Sequence, residues 1–298
     1  MTAQIIDGKQ VAADMRTELK DRVAKLKPQG IVPGLGVILV GEEPATQSYV
    51  TAKERACEEI GIYSDDNRLP ADTSQQDLMT LVEKMNKDPK INGILVQLPL
   101  PKHLNEAEVL LAIDPNKDVD GFHPMNVGKM VVGEKAFLPC TPHGVIQLLI
   151  RSKVKIEGAN VVIVGRSNIV GKPVANMLIQ KNATGNATVT VCHTRTKDLP
   201  FHTKQADIII AAAGRPNTVT ADMVKEGVVV IDVGVNRVED ATKKRGYRLV
   251  GDVDFEAVKE KASLITPVPG GVGPMTITML LYNTVESAKR AAGLGDEK

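Results

Sequence analysis

Val161-Val162-Ile163-Val164-Gly165-Arg166-Ser167-Asn168-Ile169-Val170-Gly171-Lys172-Pro173 is the stretch on which the reading of the fold turns. Three valines and one isoleucine run into Gly165, and a helical pattern from Val170 to Gln180 follows. A short β-branched run closed by glycine and then by a helix reads as a strand, a tight turn and a helix N-terminus. Such a turn presents free N–H groups and the positive end of a helix dipole, and Arg166 and Ser167 add side-chain donors, so it suits a phosphate. A dinucleotide pyrophosphate is the natural ligand. The pattern departs from G-x-G-x-x-G, because Ser167 replaces the second glycine and Gly171 comes six residues after Gly165. On this stretch alone, a dinucleotide site and a βα turn that binds nothing fit equally well.

A chain of 298 residues is long enough for two domains, each with its own core. With no Trp, four Phe and four Tyr, those cores must be aliphatic, which suits parallel sheets covered by helices. A net charge of +1 gives no footprint for nucleic acid or for an anionic membrane. No segment approaches the roughly 18 apolar residues of a membrane span, and the N-terminus lacks a signal-peptide run. Cys57, Cys140 and Cys192 are far apart and odd in number, which fits a reducing cytosol. A cytoplasmic enzyme is the expectation.

Strand and helix patterns alternate on both sides of the opening stretch. Upstream come a helix after Asp7-Gly8, a strand over Gly36 to Val40, a helix from Ala45 to Ile60 stopped at Gly61, and a strand from Ile62 to Leu69. A helix from Ser74 to Asn86 and a strand over Gly93 to Gln97 follow. The prolines of Gln97-Leu98-Pro99-Leu100-Pro101 end that strand and leave Gln97 at its C-terminal mouth, where open α/β sheets collect ligands. Residues Asp114 to Thr141 read as a long loop, and a helix from Pro142 to Arg151 carries the chain to a second domain. There, strands near 161–164, 188–192, 207–212, 228–232, 247–250 and 264–266 predict a Rossmann-like sheet. A last helix, Met275 to Ala291, returns to the first domain. The expected architecture is α/β with two domains, 1–145 plus 275–298 and 146–274.

Tyr49 and Lys53 fall on the same helical face as Ala56, Cys57 and Ile60, which puts a lysine in an apolar stripe. Its amine either snorkels to water or is held inside a cleft. Desolvation from a pKa of about 10.4 to near 7 takes roughly 4–5 kcal/mol and makes an acid/base usable at neutrality. Asp114, Asp118 and Asp120 are spaced like a calcium loop, but position 125 is Met where the bidentate Glu belongs, so turn formation is the reading. The five histidines lack zinc-site spacing, and no metal is expected. From Arg166 through Lys197 there is no Asp or Glu, and the strand Thr188 to Cys192 runs into His193-Thr194-Arg195. A ribose 2′-phosphate needs cations where NAD needs an acid, so NADP is the expected cofactor. Gly214 and Gly234 each follow a strand, where backbone can approach a ribose or nicotinamide.

Five motifs then stand together: Tyr49-Val50-Thr51-Ala52-Lys53, Val96-Gln97-Leu98-Pro99-Leu100-Pro101, Lys117-Asp118-Val119-Asp120-Gly121, the glycine turn at 165–173, and Pro267-Val268-Pro269-Gly270-Gly271-Val272-Gly273-Pro274-Met275-Thr276. In order, through nearly the whole chain, they resemble the bifunctional methylenetetrahydrofolate dehydrogenase/methenyltetrahydrofolate cyclohydrolase family. The resemblance implies a folate-binding catalytic domain completed by the last helix, a Rossmann-like NADP-binding domain, a cleft between them, and a homodimer formed through the NADP domains. The implied activity is NADP-dependent oxidation of 5,10-methylenetetrahydrofolate to 5,10-methenyltetrahydrofolate, followed by hydrolysis to 10-formyltetrahydrofolate.

By the same resemblance Lys53 is the central catalytic residue, Tyr49 lies against the folate and assists proton movement, Gln97 hydrogen-bonds the lysine, and Asp120 holds the pterin ring. Val96, Leu98, Pro269, Gly270 and Gly273 would complete the folate pocket. Arg166, Ser167 and Thr194 fall where the family holds the 2′-phosphate, with Arg195 beside them. Gly165, Ile169, Val170 and Gly171 would follow the dinucleotide along the turn, and Gly214, Gly234 and Val235 would approach it from neighbouring loops. The competing readings are a dehydrogenase without the hydrolytic step, another two-domain oxidoreductase such as a shikimate or amino-acid dehydrogenase, and a non-enzymatic NADP-binding regulator.

Overall fold

The computed structural model describes residues 2–41, 44–243 and 246–295, with the side chains of 44–50 outside that description. The elements run β1 (Gln4–Ile5), α1 (Gly8–Leu26), β2 (Gly34–Val40), α2 (Pro44–Ile60), β3 (Tyr63–Leu69), α3 (Gln75–Lys87) and β4 (Gly93–Val96). Next come α4 (Glu106–Ala112), α5 (Pro124–Val132), α6 (Cys140–Arg151), β5 (Asn160–Val164), α7 (Gly171–Leu178), β6 (Thr188–Cys192) and α8 (Leu199–Thr203). The chain ends with β7 (Ile208–Ala211), β8 (Val229–Asp232), β9 (Asn236–Glu239), β10 (Tyr247–Val250), α9 (Phe255–Val258), β11 (Leu264–Ile265) and α10 (Val272–Ala291). They form two compact units, Ala13–Cys140 with Ile277–Lys298, and Met1–Ala12 with Thr141–Thr276.

The first unit is built on a three-stranded parallel sheet, β3-β2-β4. Its central strand β2 reads Gly-Leu-Gly-Val-Ile-Leu-Val and is buried throughout, as a parallel strand covered on both faces must be. Strand β3 lies at the edge and carries Ser64, Asp65, Asp66, Asn67 and Arg68, none of them fully buried. Ile38, Leu78, Val82, Ile94 and Val96 belong to one core packed between the sheet and α3. From Ile277 onward α10 joins this unit, as the sequence suggests. Its buried polar residues tie loops down: Ser287 donates to the carbonyls of Asn92 (2.6 Å) and Asn116 (2.9 Å).

The segment read as one loop from Asp114 to Thr141 contains α5. His123 caps that helix through Nδ1, Pro124 occupies its first turn, and Gly133 at φ 79° closes it, so proline-in and glycine-out signals define a helix there. Ahead of it, Asp118 is buried, and its carboxylate accepts from the N–H groups of Gly121 (3.2 Å), Phe122 (3.3 Å) and His123 (2.8 Å) and from Asn126 Nδ2 (2.9 Å). The aspartate cluster therefore does build a turn.

The second unit has a six-stranded parallel sheet in the order β1-β11-β8-β7-β5-β6. Two expectations are corrected. Residues 247–250 do not belong to this sheet: β10 pairs antiparallel with β9, Leu249 facing Arg237, in a hairpin whose strands show alternating or partial exposure. The sixth strand is instead β1, with Gln4 opposite Leu264 and Ile5 opposite Ile265. That pairing places residues 1–12 in this unit, whereas the expected division set them with 13–145. A two-residue strand has no periodicity to read. Strand β5 lies between β6 and β7, with Val164 level with both Cys192 and Ala211, so the connections diverge at β5 and leave a crevice at its C-terminal end.

Replacing Asp118 by Ala would strand the N–H groups of Phe122 and His123, whereas Gly121 N–H keeps the carbonyl of residue 118 (3.2 Å) and Asn126 Nδ2 keeps the Pro115 carbonyl (2.9 Å). At 1–3 kcal/mol for each stranded buried group, the loss of stability should be about 2–6 kcal/mol. Urea unfolding measures it, and a change under about 1 kcal/mol would contradict the anchoring role.

Candidate active site

The apolar face of α2 holds Lys53, Ala56, Cys57 and Ile60, all buried, while Arg55, Glu58 and Glu59 are exposed. Lys53 does not snorkel. Only 3% of it is exposed, and its Nζ donates to Gln97 Oε1 at 2.7 Å. Gln97 is set by the sheet, since its backbone N–H continues the β2–β4 ladder onto the Ile38 carbonyl (2.9 Å). Its own side-chain Nε2 donates to the Leu98 carbonyl at 3.0 Å, which fixes the amide so that the oxygen faces the lysine. Val96 is buried at the end of β4 and Leu98 is half-buried beyond it. Tyr49 lies one turn before Lys53 on α2, and its side chain is outside the described residues.

Asp120 reaches the same place from the other side. Lys117 fastens the start of its loop to the end of α3, donating to the carbonyls of Met85 (3.0 Å) and Asp88 (2.8 Å). Asn283 on α10 donates to the carbonyls of Val119 (2.8 Å) and Leu138 (3.0 Å), holding both flanks of the turn. Gly121 is at φ 74°, and a Cβ there would lie 2.7 Å from the Leu138 carbonyl carbon, so glycine is required. As a residue Asp120 is partly exposed, but its carboxyl is sunk beside Lys53, Asp118 and Cys140.

Burial lowers the Lys53 amine from 10.5 to about 8 against the opposing pull of the Asp120 charge. It raises Asp120 from 3.8 to about 6, with the lysine charge pulling the other way. Cys57 is pushed up to about 12 by burial and stays a thiol, which removes it as a nucleophile. The site is thus a buried amine, oriented by a neutral amide and faced by a carboxyl, with both ionisable groups displaced toward neutrality. It can take up and return a proton near pH 7.

In the six-stranded unit the predicted cofactor residues meet along one sheet edge, the C-terminal ends of β5, β6, β7 and β8. Gly165 sits at φ 135°, and a Cβ there would stand 2.0 Å from the Ala212 carbonyl oxygen. At Gly171 a Cβ would stand 2.2 Å from the Gly165 carbonyl oxygen, which explains why the second glycine of the turn falls there. Ser167 Oγ accepts from the N–H groups of Val170 (3.1 Å) and Gly171 (3.4 Å), ordering the turn, and a hydroxyl that accepts still has a proton to donate. Arg166, Ser167, Ile169, Thr194, Arg195, Gly214 and Val235 are exposed on this edge, Val170 is half-buried, and Gly234 is buried. A tight glycine turn with exposed cations beside it fits a phosphorylated dinucleotide. Pro269, Gly270 and Gly273 belong to this unit as well, around the start of α10, with Gly270 at φ 107°.

Sequence reasoning missed Asn283, and it missed Asp232 and Asp252, two buried carboxylates behind the cofactor edge. The signal for them is polarity inside largely apolar runs: Asn283 in Met279 to Val285, Asp232 in Val228 to Val233, and Asp252 in Leu249 to Val253.

Residues 6–120 match the catalytic-domain model of tetrahydrofolate dehydrogenase/cyclohydrolase, and residues 139–292 match the NAD(P)-binding-domain model of the same family. A relative from Syntrophus aciditrophicus, the bifunctional protein FolD, is 60% identical over 99% of this chain and 100% of its own length. The Campylobacter jejuni bifunctional methylenetetrahydrofolate dehydrogenase/cyclohydrolase is similar in structure, with a TM-score of 0.91 at 52% identity over 97% of this chain and 99% of that one. The Trypanosoma brucei enzyme, solved with NADP cofactor and inhibitor, gives 0.92 at 41% identity over 98% and 99%. Both domain models and a full-length relative agree: this chain belongs to the tetrahydrofolate dehydrogenase/cyclohydrolase family.

The Lys53 shift has a measurable consequence. Between pH 8 and 10.5 the unfolded chain still binds a proton that the folded lysine has released, so the lysine's contribution to stability rises with pH across that window. The rise is about 3 kcal/mol at 1.36 kcal/mol per pKa unit. Lys53→Met should lack it, so denaturant-derived stabilities of mutant and wild type should converge as pH rises. Parallel curves would mean that the amine is not desolvated.

Proposed function

We propose that Lys53, Gln97 and Asp120 carry the proton chemistry of a bifunctional one-carbon enzyme. The chain oxidises 5,10-methylenetetrahydrofolate to 5,10-methenyltetrahydrofolate with NADP+ and hydrolyses the product to 10-formyltetrahydrofolate. The observation that carries the reading is the buried Lys53 amine, bonded to Gln97 at 2.7 Å and lowered to about 8. A dehydrogenase alone needs positioning and has little use for a tuned base, so this pair favours the bifunctional reading.

Bound NADP+ supplies the hydride acceptor for the methylene carbon. The residues arrange the rest. Asp120 accepts from the amino and ring N–H groups of the pterin. Tyr49 borders the folate. Val96 and Leu98 flank the substrate beside Gln97, and the family resemblance assigns Pro269, Gly270 and Gly273 to folate as well, the glycines as bare backbone. Arg166, Ser167 and Thr194 bind the 2′-phosphate, with Arg195 adding charge. In the hydrolytic step water attacks the bridging carbon, and neutral Lys53 takes one of its protons. The C–N5 bond then breaks as Lys53 returns that proton to N5, and the hydroxyl proton leaves to solvent as the formyl carbonyl forms. With the protein's own groups alone the amine is mostly protonated at pH 7. The positive charge of the methenyl substrate lowers it further and produces the neutral base. The enzyme acts as a homodimer in the cytoplasm, an assembly supported by the family resemblance.

Lys53→Met should lower the hydrolysis of added methenyltetrahydrofolate by about 100-fold or more, the usual worth of a general base, with a smaller loss in NADPH formation. Normal hydrolysis by this variant would overturn the assignment. Arg166→Ala should cut kcat/KM for NADP+ by about 10- to 100-fold, the worth of a charge-assisted bond to phosphate, and barely change the weaker use of NAD+. Equal losses with the two cofactors would remove Arg166 from the 2′-phosphate site.

A further inference from the structure

The loops after β7 and β8 share a feature the mechanism does not use. Asp252, with none of its surface exposed, accepts from the N–H groups of Ala213 (2.6 Å) and Gly214 (2.8 Å) through one carboxylate oxygen and from Asn236 Nδ2 (2.8 Å) through the other. Asp232, 3% exposed at the end of β8, accepts from Gly234 N–H (3.1 Å), Asp252 N–H (2.9 Å) and Val253 N–H (3.0 Å). The two aspartates interlock with two glycines. A Cβ at Gly234 would lie 2.1 Å from Asp252 Oδ1, and one at Gly251 would lie 1.8 Å from Asp232 Oδ2.

Two buried carboxylates side by side are costly, and apolar residues would hold a merely structural loop at lower cost. What the carboxylates provide is directional. They turn the N–H groups of Ala213, Gly214 and Gly234 inward, so these glycines offer no donors to a phosphate. At Gly214 a Cβ would meet nothing within 4 Å, which leaves an open face of bare backbone. A surface without N–H donors suits the phosphate-free end of a dinucleotide, the ribose and nicotinamide, whereas the Gly165–Gly171 turn, with the exposed side chains of Arg166 and Ser167, suits its phosphates.

We propose that Asp232 and Asp252 are positioning residues that staple the loops after β7 and β8 in register to receive the ribose–nicotinamide end of NADP. The proposal rests on the reading of Gly214, Gly234 and Val235 as cofactor neighbours, and the test separates the two.

Asp252→Asn keeps the shape but must point an amide N–H2 either at the Ala213 and Gly214 N–H groups or at Asn236. In the full-length protein kcat/KM for NADP+ should fall by about tenfold or more, with kcat at saturating NADP+ falling too, because a misplaced nicotinamide reacts slowly even when bound. Hydrolysis of methenyltetrahydrofolate without NADP+ should stay within about twofold and reports folding in the same sample. Loss of both activities in proportion, from a folded protein, would overturn the proposal and leave a structural role. If Asp252→Asn does not fold, Asn236→Ala decides. It removes one donor and should give the same split at about threefold, and an unchanged dehydrogenase would overturn the staple. Val235→Glu tests the underlying reading. If it raises KM for NADP+ while Asp252→Asn and Asn236→Ala leave both kcat and kcat/KM for NADP+ unchanged, the loops neighbour the cofactor and the staple is wrong. If Val235→Glu leaves KM for NADP+ at the wild-type value, the loop reading fails and the proposal with it.

Discussion

An amine withheld from water is the constraint around which the three-stranded unit is arranged. Lys53 sits where an apolar residue would stabilise the fold better, and the cost of desolvating it is the source of its lowered pKa. The neighbours limit that cost without cancelling it. Gln97 accepts a hydrogen bond but brings no charge, so the amine is oriented and not locked into the protonated form. Asp120 brings a charge, yet its own burial raises its pKa, which weakens its hold on the lysine proton. A strong ion pair would have pinned both groups in their charged states, and a proton carrier has to leave that state.

Both units use one device to aim a loop. In the first, Asp118 gathers the N–H groups of Gly121, Phe122 and His123 and thereby presents Asp120. In the second, Asp232 and Asp252 gather N–H groups from three loops behind the cofactor edge. A carboxylate with several lone-pair sites can satisfy several buried donors at once, which no other side chain does as compactly. Glycine is forced at each of these places by closeness, as at Gly121, Gly234 and Gly251, where a Cβ would overlap neighbouring atoms.

What could be read in the sequence follows from the length scale of each signal. The aliphatic strands Gly34–Val40 and Val161–Val164, the Gly61 cap and the buried stripe of Lys53, Ala56, Cys57 and Ile60 are local patterns, and they appear in the structure close to where the periodicity puts them. Strand partners are not local. Tyr247–Val250 reads as well for a sheet as for a hairpin, and Gln4–Ile5 is too short to read at all. The candidate site divides in the same way. Lys53 and Gln97 are recognisable from a misplaced charge and a strand mouth, whereas Asn283 lies 164 residues from the carbonyl it holds and carries no local mark of that role.

The same contrast explains why the glycine turn alone is ambiguous. Ser167 in place of a second glycine looks like a defect if the turn is judged by backbone closeness alone. In the structure its Oγ accepts from Val170 and Gly171 N–H, so the turn gains an internal brace where the common pattern has open backbone. Bracing consumes helix-start donors that a bare glycine turn would aim at phosphate, and the anion-binding duty shifts toward side chains. That shift gives Arg166 and the cationic stretch around Thr194 and Arg195 their importance, and it makes the turn better suited to a cofactor carrying an extra phosphate than to one recognised by its pyrophosphate alone.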